Sequence, residues 1–71
     1  LFLKNRVKEL RARHDWTQGQ LGDRVGVTRQ TIASIEKGDY VPSLLLGLQI
    51  CDAFGLNVEE VFELEKGGIE T

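Results

Sequence analysis

Hydrophobic residues along this chain fall into five stretches with helical spacing, punctuated by glycines and opened by hydroxyl or amide residues. The first stretch predicts a helix over Lys4 to Arg13, with Val7 and Leu10 as its buried stripe and a basic outer side. The second predicts a helix over Gln18 to Val25. Thr17 is placed to cap it, Gln20 completes a capping box, and Trp16 and Leu21 are spaced as a hydrophobic staple. The third, Arg29 to Lys37, is capped by Thr28, turns Ile32, Ala33 and Ile35 inward and stops at Gly38. The fourth, Leu44 to Phe54, follows Ser43 and is apolar nearly all round, which predicts burial on two sides. The fifth is short, Val58 to Phe62, with Asn57 and Glu60 at capping-box spacing. "FELEK" then alternates apolar and acidic residues, as a strand or an extended tail does, and Gly67 and Gly68 end the ordered part. Leu1 to Leu3 are assigned no structural role.

The fold class expected is therefore all-α: a compact five-helix domain with a short extended C-terminal tail. At 71 residues the chain is read as one domain, with its core over about residues 4–64 and a tail over 65–71. A core this small is marginal alone and gains from a partner chain. Net charge is −2, but the average hides a split. Residues 1–40 carry eight Lys/Arg against five Asp/Glu, and residues 41–71 carry one against six. A basic half facing a polyanion and an acidic half facing away is the arrangement this suggests. Cys51 is the lone cysteine and reads as a small buried apolar group. Its isolation excludes an internal disulfide and fits a reducing, cytoplasmic setting. No apolar run is long enough to span a membrane, and "LFL" is too short for a signal-peptide core. One histidine and one cysteine leave little from which to build a nucleophile and base, so no enzyme, no cofactor and no metal are expected.

The second and third helices carry the functional signal. They are short and joined by "GVT", in which Gly26 supplies the backbone freedom of a tight turn. Gly22 lies four residues earlier, where two crossing helices come close. Such a pair is a helix-turn-helix, whose second helix projects and can enter a DNA major groove. The outer side of that helix fits the role. Arg29 suits guanine and Gln30 suits adenine, while Thr31 and Ser34 suit bases or phosphates. Lys37 can reach a flanking phosphate, and Thr28 combines its cap with a phosphate contact.

"TQGQLGDRVGVTRQTIASIEKGDYVPS" resembles the helix-turn-helix of the Cro/CI-type DNA-binding family. The shared positions are Thr17, Gln18, Leu21, Gly26, Val27, Thr31, Ile32, Ile35, Glu36, Gly38, Pro42 and Ser43, with Thr28 in place of the more common serine. The likeness continues through "FGLNVEEVF" and covers about residues 4–64. Gly22 stands where the family usually has alanine and Gly19 where it often has glutamate. "GDYVP" lacks the cations that some members set against phosphate. The resemblance implies a lambda-repressor-like fold, with Gln18 at a helix N-terminus lying across the DNA backbone. It also implies a structural ion pair between Glu36 and Arg11.

The function expected is a sequence-specific regulator of transcription that binds double-stranded DNA. It acts as a repressor, by occupancy, and as a homodimer on a pseudo-palindromic operator. The alternative is an antitoxin-like or other protein-interaction module on the same fold. No small-molecule effector and no membrane partner are expected. The dimer surface is expected at Val58, Val61, Phe62 and Leu64, because a lone C-terminal strand would lack a partner in its own chain. Dimerisation through the fourth helix is the competing arrangement.

Overall fold

A computed structural model describes residues 1–66, so the expected end at Gly67 and Gly68 and most of the tail lie outside the described residues. The element order is β1 (Phe2–Asn5), α1 (Val7–Arg13), α2 (Gln18–Val25), α3 (Arg29–Lys37), α4 (Leu44–Phe54), α5 (Val58–Val61) and β2 (Phe62–Glu65).

The three middle helices lie where capping chemistry places them. Thr17 Oγ1 accepts from the Gln20 amide at 3.0 Å, and Gln20 Oε1 accepts from the Thr17 amide at 2.8 Å. Thr28 Oγ1 accepts from the Thr31 amide, and Ser43 Oγ from the Leu46 amide. At the other ends Gly26, Gly38 and Gly55 take left-handed backbone with φ of 78°, 84° and 71°, which closes each helix. In α5 the Asn57 amide donates to Glu60 Oε2 at 2.8 Å.

The all-α expectation is corrected at the chain ends. β1 and β2 form a two-stranded antiparallel sheet, with Leu3 opposite Leu64 and Asn5 opposite Phe62. Phe2 and Leu3 therefore do carry structure, and the first helix starts at Val7 rather than Lys4. Asn5 explains the late start. Its Oδ1 accepts from the Val7 amide at 3.0 Å, satisfying an orphan donor of α1, while its Nδ2 donates to the Ile35 carbonyl at the end of α3 at 2.9 Å. One amide thus ties strand, first helix and third helix together. The fifth helix stops at Val61 because Phe62 has turned extended to enter β2. The Arg6 amide donates to the Val61 carbonyl and its guanidinium to the Glu60 carbonyl, which holds the two chain ends side by side. Arg6 also bonds Glu9 on the surface, and this holds the Glu9 carboxyl below the usual carboxylate range.

The core is built from Val7, Leu10, Leu21, Val25, Ile32, Ile35, Leu46, Ile50, Cys51, Phe54 and Val61. Burial pushes the Cys51 thiol up, as expected of an inert thiol. Val61 is 1% exposed and Phe62 packs against the same core, so these two residues belong to their own chain's interior. β2 also has its partner in β1. Of the four residues expected at a dimer surface, Val61 and Phe62 thus pack within their own chain, and Val58 and Leu64 are exposed. The fourth helix departs from expectation in the opposite sense. Leu46, Ile50, Cys51 and Phe54 are buried, but Leu44, Leu45 and Leu48 face outward, so α4 is buried on one side only.

Candidate nucleic-acid interface

α2 and α3 pack directly on each other. The contact is close at Gly22, where an added Cβ would stand 2.6 Å from the Val27 carbonyl oxygen. Backbone occupies that space, so the small residue is needed for this approach of helix and turn. The Gly26 amide and the Val27 amide both donate to the Gly22 carbonyl, which closes α2 and redirects the chain into Thr28. Ile32 and Ile35, both fully buried, hold the inner side of α3.

A polar network fixes α3 from its far end. Arg11 grips Glu36 through Nε to Oε2 at 2.7 Å and Nη2 to Oε1 at 3.3 Å, and its Nη1 donates to the Trp16 carbonyl at 2.9 Å. Gln18 Nε2 adds a third donor to Glu36 Oε1 at 3.0 Å. The carboxylate side chain is 4% exposed and the Arg11 side chain 16%. A buried carboxylate with three donors is a satisfied one. Gln18, at the first turn of α2, is thus a link between α2 and α3 before it is anything else.

With its inner side and both ends committed, α3 presents Arg29, Gln30 and Lys37 fully outward and Ser34 half-buried. The ion pairs among the described residues are Lys4–Glu65, Arg6–Glu9, Arg11–Glu36 and Arg13–Glu9, and none uses Arg29 or Lys37. No acid stands between Asp23 and Glu36, and Glu36 is neutralised by Arg11. The outer side of α3 is therefore positive. Thr31 turns its hydroxyl to 3.1 Å from Thr28 Oγ1, so these two hydroxyls form one cap unit.

Two hollows flank the helix. One is lined by Thr28, Gln30, Thr31, Ser34 and Tyr40, which places the Tyr40 ring beside the outer face of α3. The other runs between Thr17, Gln18 and Arg29 and joins the two helix N-termini. From sequence Tyr40 is open between packing and a phosphate contact, and its place beside Gln30 and Ser34 is what the fold adds. A second arrangement escaped sequence reading. His14 stacks on Trp16 at 4.5 Å, Trp16 lies 5.8 Å from Phe54, and the Arg24 guanidinium sits 4.1 Å over the indole. This cluster locks the turn before α2 onto the core. Among the described residues no group of His, Cys, Asp and Glu is placed to hold a metal, and no helix is long and apolar enough to cross a membrane.

Two short helices crossing at a glycine, the second seated by an ion pair and polar on its outer side, define a helix-turn-helix protein. The helix-turn-helix family model matches residues 7–61, and the chain belongs to that family. It is 66% identical over 64 residues to a Bacillus subtilis protein named as an uncharacterized HTH-type transcriptional regulator, YgzD, covering 90% of this chain and 97% of that protein. In structure it is similar to the restriction-modification controller protein C.AhdI of Aeromonas hydrophila. That likeness has a TM-score of 0.73 and 27% identity, and covers 78% of this chain and 83% of the other. It is also similar to the SOS-response transcriptional repressor LexA of Eubacterium rectale, with a TM-score of 0.75 and 26% identity over 92% of this chain and 69% of that one.

Proposed function

We propose that this protein is a sequence-specific regulator of transcription that inserts α3 into the major groove of double-stranded DNA. The observation that carries the reading is the acid-free outer side of α3, with Arg29 and Gln30 exposed on a helix held rigidly by Ile32, Ile35 and Glu36. Arg29 reads guanine and Gln30 reads adenine through paired hydrogen bonds. Ser34 and the Thr28–Thr31 hydroxyl pair contact bases or phosphates at the groove edge. Lys37 and the Tyr40 hydroxyl meet the flanking backbone. Gln18 spends one N–H on Glu36 and keeps the second for phosphate, beside the free amides at the start of α2.

The role is non-catalytic and belongs in the cytoplasm. The chain acts as one domain that reads only a few base pairs, so useful specificity requires two copies on a pseudo-palindromic operator. Repression by occupancy of the operator is the simplest mechanism, and the likeness to a solved transcriptional repressor supports it. Selection of bound sequences from a random DNA pool, followed by titration at several salt concentrations, tests the reading. Enrichment of a two-fold symmetric site and a steep loss of affinity with salt are expected, because neutralised phosphates release counterions. Failure to enrich any site, together with a flat salt response, would exclude DNA as the ligand. The protein-interaction alternative has one feature in its favour, the outward leucines of α4.

A further inference from the structure

The turn between α1 and α2 departs from the rule that the other helix ends follow. α2, α3 and α4 each close on a glycine in left-handed backbone, whereas Asp15, with φ of 57°, is the one non-glycine residue of positive φ among the described residues. The Asp15 amide donates to the Ala12 carbonyl at 3.0 Å and the Trp16 amide to the Arg11 carbonyl at 3.1 Å, so backbone alone closes α1. The Asp15 side chain has no part in that closure. It is exposed and joins no ion pair among the described residues. A Cβ in left-handed backbone carries a conformational cost that glycine avoids, and a carboxylate at the end of α1 opposes that helix's dipole. Neither cost serves α1.

Asp15 lines the hollow that Thr17, Gln18 and Arg29 share. Three groups there favour an anion. One is the positive end of α2, whose first turn has no acidic residue of its own. The others are the second N–H of Gln18 and the Arg29 guanidinium, which is in no ion pair among the described residues. Arg11 borders the same hollow, but Glu36 neutralises it. Asp15 therefore sets a fixed negative charge at the rim of a place suited to take another.

We propose that Asp15 is a built-in competitor of the DNA phosphate that docks at the start of α2. Its carboxylate offsets the positive charge of that helix end and of Arg29 in the free protein, and it repels the phosphate that arrives there. Phosphate carries no sequence information, so the penalty falls on every DNA alike and leaves base contacts to supply a larger share of the affinity. This rests on the operator-binding reading for the identity of the anion, but not for the placement of the charge. A carboxylate that served only the dipole of α2 would steady the fold and leave anion binding unchanged, which separates the two roles by measurement.

Asp15→Asn removes the charge and keeps a side chain that tolerates left-handed backbone. The full chain is titrated with the selected operator and with a random duplex at several salt concentrations. The variant should bind both about three- to tenfold more tightly at low salt, the scale of one like-charge contact near a protein surface. The gain should shrink as salt is raised, because screening removes the repulsion. Asp15→Gly should gain as much, and Asp15→Glu, which keeps the charge, should gain nothing. Glu63→Gln makes the same change in net charge at an exposed acid of β2, outside this hollow, and should barely change affinity. Retention on heparin repeats the comparison without an operator: Asp15→Asn should elute at higher salt than the wild type, and Glu63→Gln with it. An Asp15→Asn variant that matches the wild type on DNA and on heparin overturns the inference. So does one that gains no more than Glu63→Gln, or one that gains on the operator alone. If no DNA is selected and the heparin shift appears, the DNA reading falls and the action of Asp15 against a polyanion stands.

Discussion

α3 and α4 are the same device turned to different uses. Each opens on a hydroxyl cap, Thr28 or Ser43, and each closes on a glycine in left-handed backbone, Gly38 or Gly55. Each buries an apolar side in the one core. They differ on the outside, where α3 carries an arginine, an amide, hydroxyls and a lysine, and α4 carries leucines. Capping and burial thus determine where a helix stands, and they are indifferent to what it recognises. The outer sides are where the two part company: that of α3 is polar and positive, and that of α4 exposes Leu44, Leu45 and Leu48.

The comparison breaks most severely if α3 loses its seat. Arg11→Ala leaves the Glu36 carboxylate buried with Gln18 as its remaining donor, and also removes the bond to the Trp16 carbonyl. The expected loss is about 3–5 kcal/mol in urea denaturation. α4 has no polar tether of this kind among the described hydrogen bonds beyond its Ser43 cap, so no single polar change there should cost as much. A loss under about 1 kcal/mol would mean that the pair is solvated and does not hold α3.

The second test separates reading from folding. Arg29→Ala and Gln30→Ala should each weaken binding to the selected site by about 1–3 kcal/mol, lower affinity for random DNA less, and leave the unfolding midpoint unchanged. Equal losses on both DNAs would make these residues phosphate contacts.

How far the sequence disclosed all this depended on the range of each interaction. The bounds of α2, α3 and α4 were legible because they are set by cap and glycine within a few residues of each helix. The outer residues of α3 were legible as a set, since a side with one charge and several hydrogen-bonding groups stands out locally. The sheet was not. "FLKN" and "FELE" are four-residue strands at opposite ends of the chain, and only their meeting makes either a strand. Lys4 and Asn5 fit a helical run until Asn5 is seen bonding both Val7 and Ile35. Gln18 likewise read as a free first-turn amide, because its bond to Glu36 spans eighteen positions. The leucines of α4 were read as doubly buried for a plain reason: periodicity reports that a side is apolar and cannot say whether the chain covers it.

A third test weighs the two caps. Thr28→Ala removes the acceptor for the Thr31 amide and strands the Thr31 hydroxyl, whereas Ser43→Ala removes one acceptor only. The expected costs are about 1–2 kcal/mol for Thr28 and about 1 kcal/mol for Ser43, read by thermal or urea unfolding. Thr28→Ser should restore most of the first. If the two alanine variants cost the same, the Thr28–Thr31 pair adds nothing beyond an ordinary cap.

The smallest effect concerns the one respect in which α4 is the poorer helix. Gly47 lies inside it, and α3 has no interior glycine. Gly47 does not have positive φ, so alanine can adopt its backbone without strain. A Cβ there would meet Phe62 Cε2 at 3.8 Å, an ordinary van der Waals contact with a ring that already packs on the core. Gly47→Ala should therefore stabilise the chain by about 0.4–1 kcal/mol, by narrowing the unfolded ensemble and favouring the helix. The contrast within the molecule is Gly22, where the same substitution drives a Cβ to 2.6 Å from the Val27 carbonyl oxygen and should destabilise by about 1–3 kcal/mol. Opposite signs for two buried helical glycines would show that space, rather than propensity, decides each case. A destabilised Gly47→Ala would mean that α5 and β2 press more tightly on α4 than the 3.8 Å spacing allows.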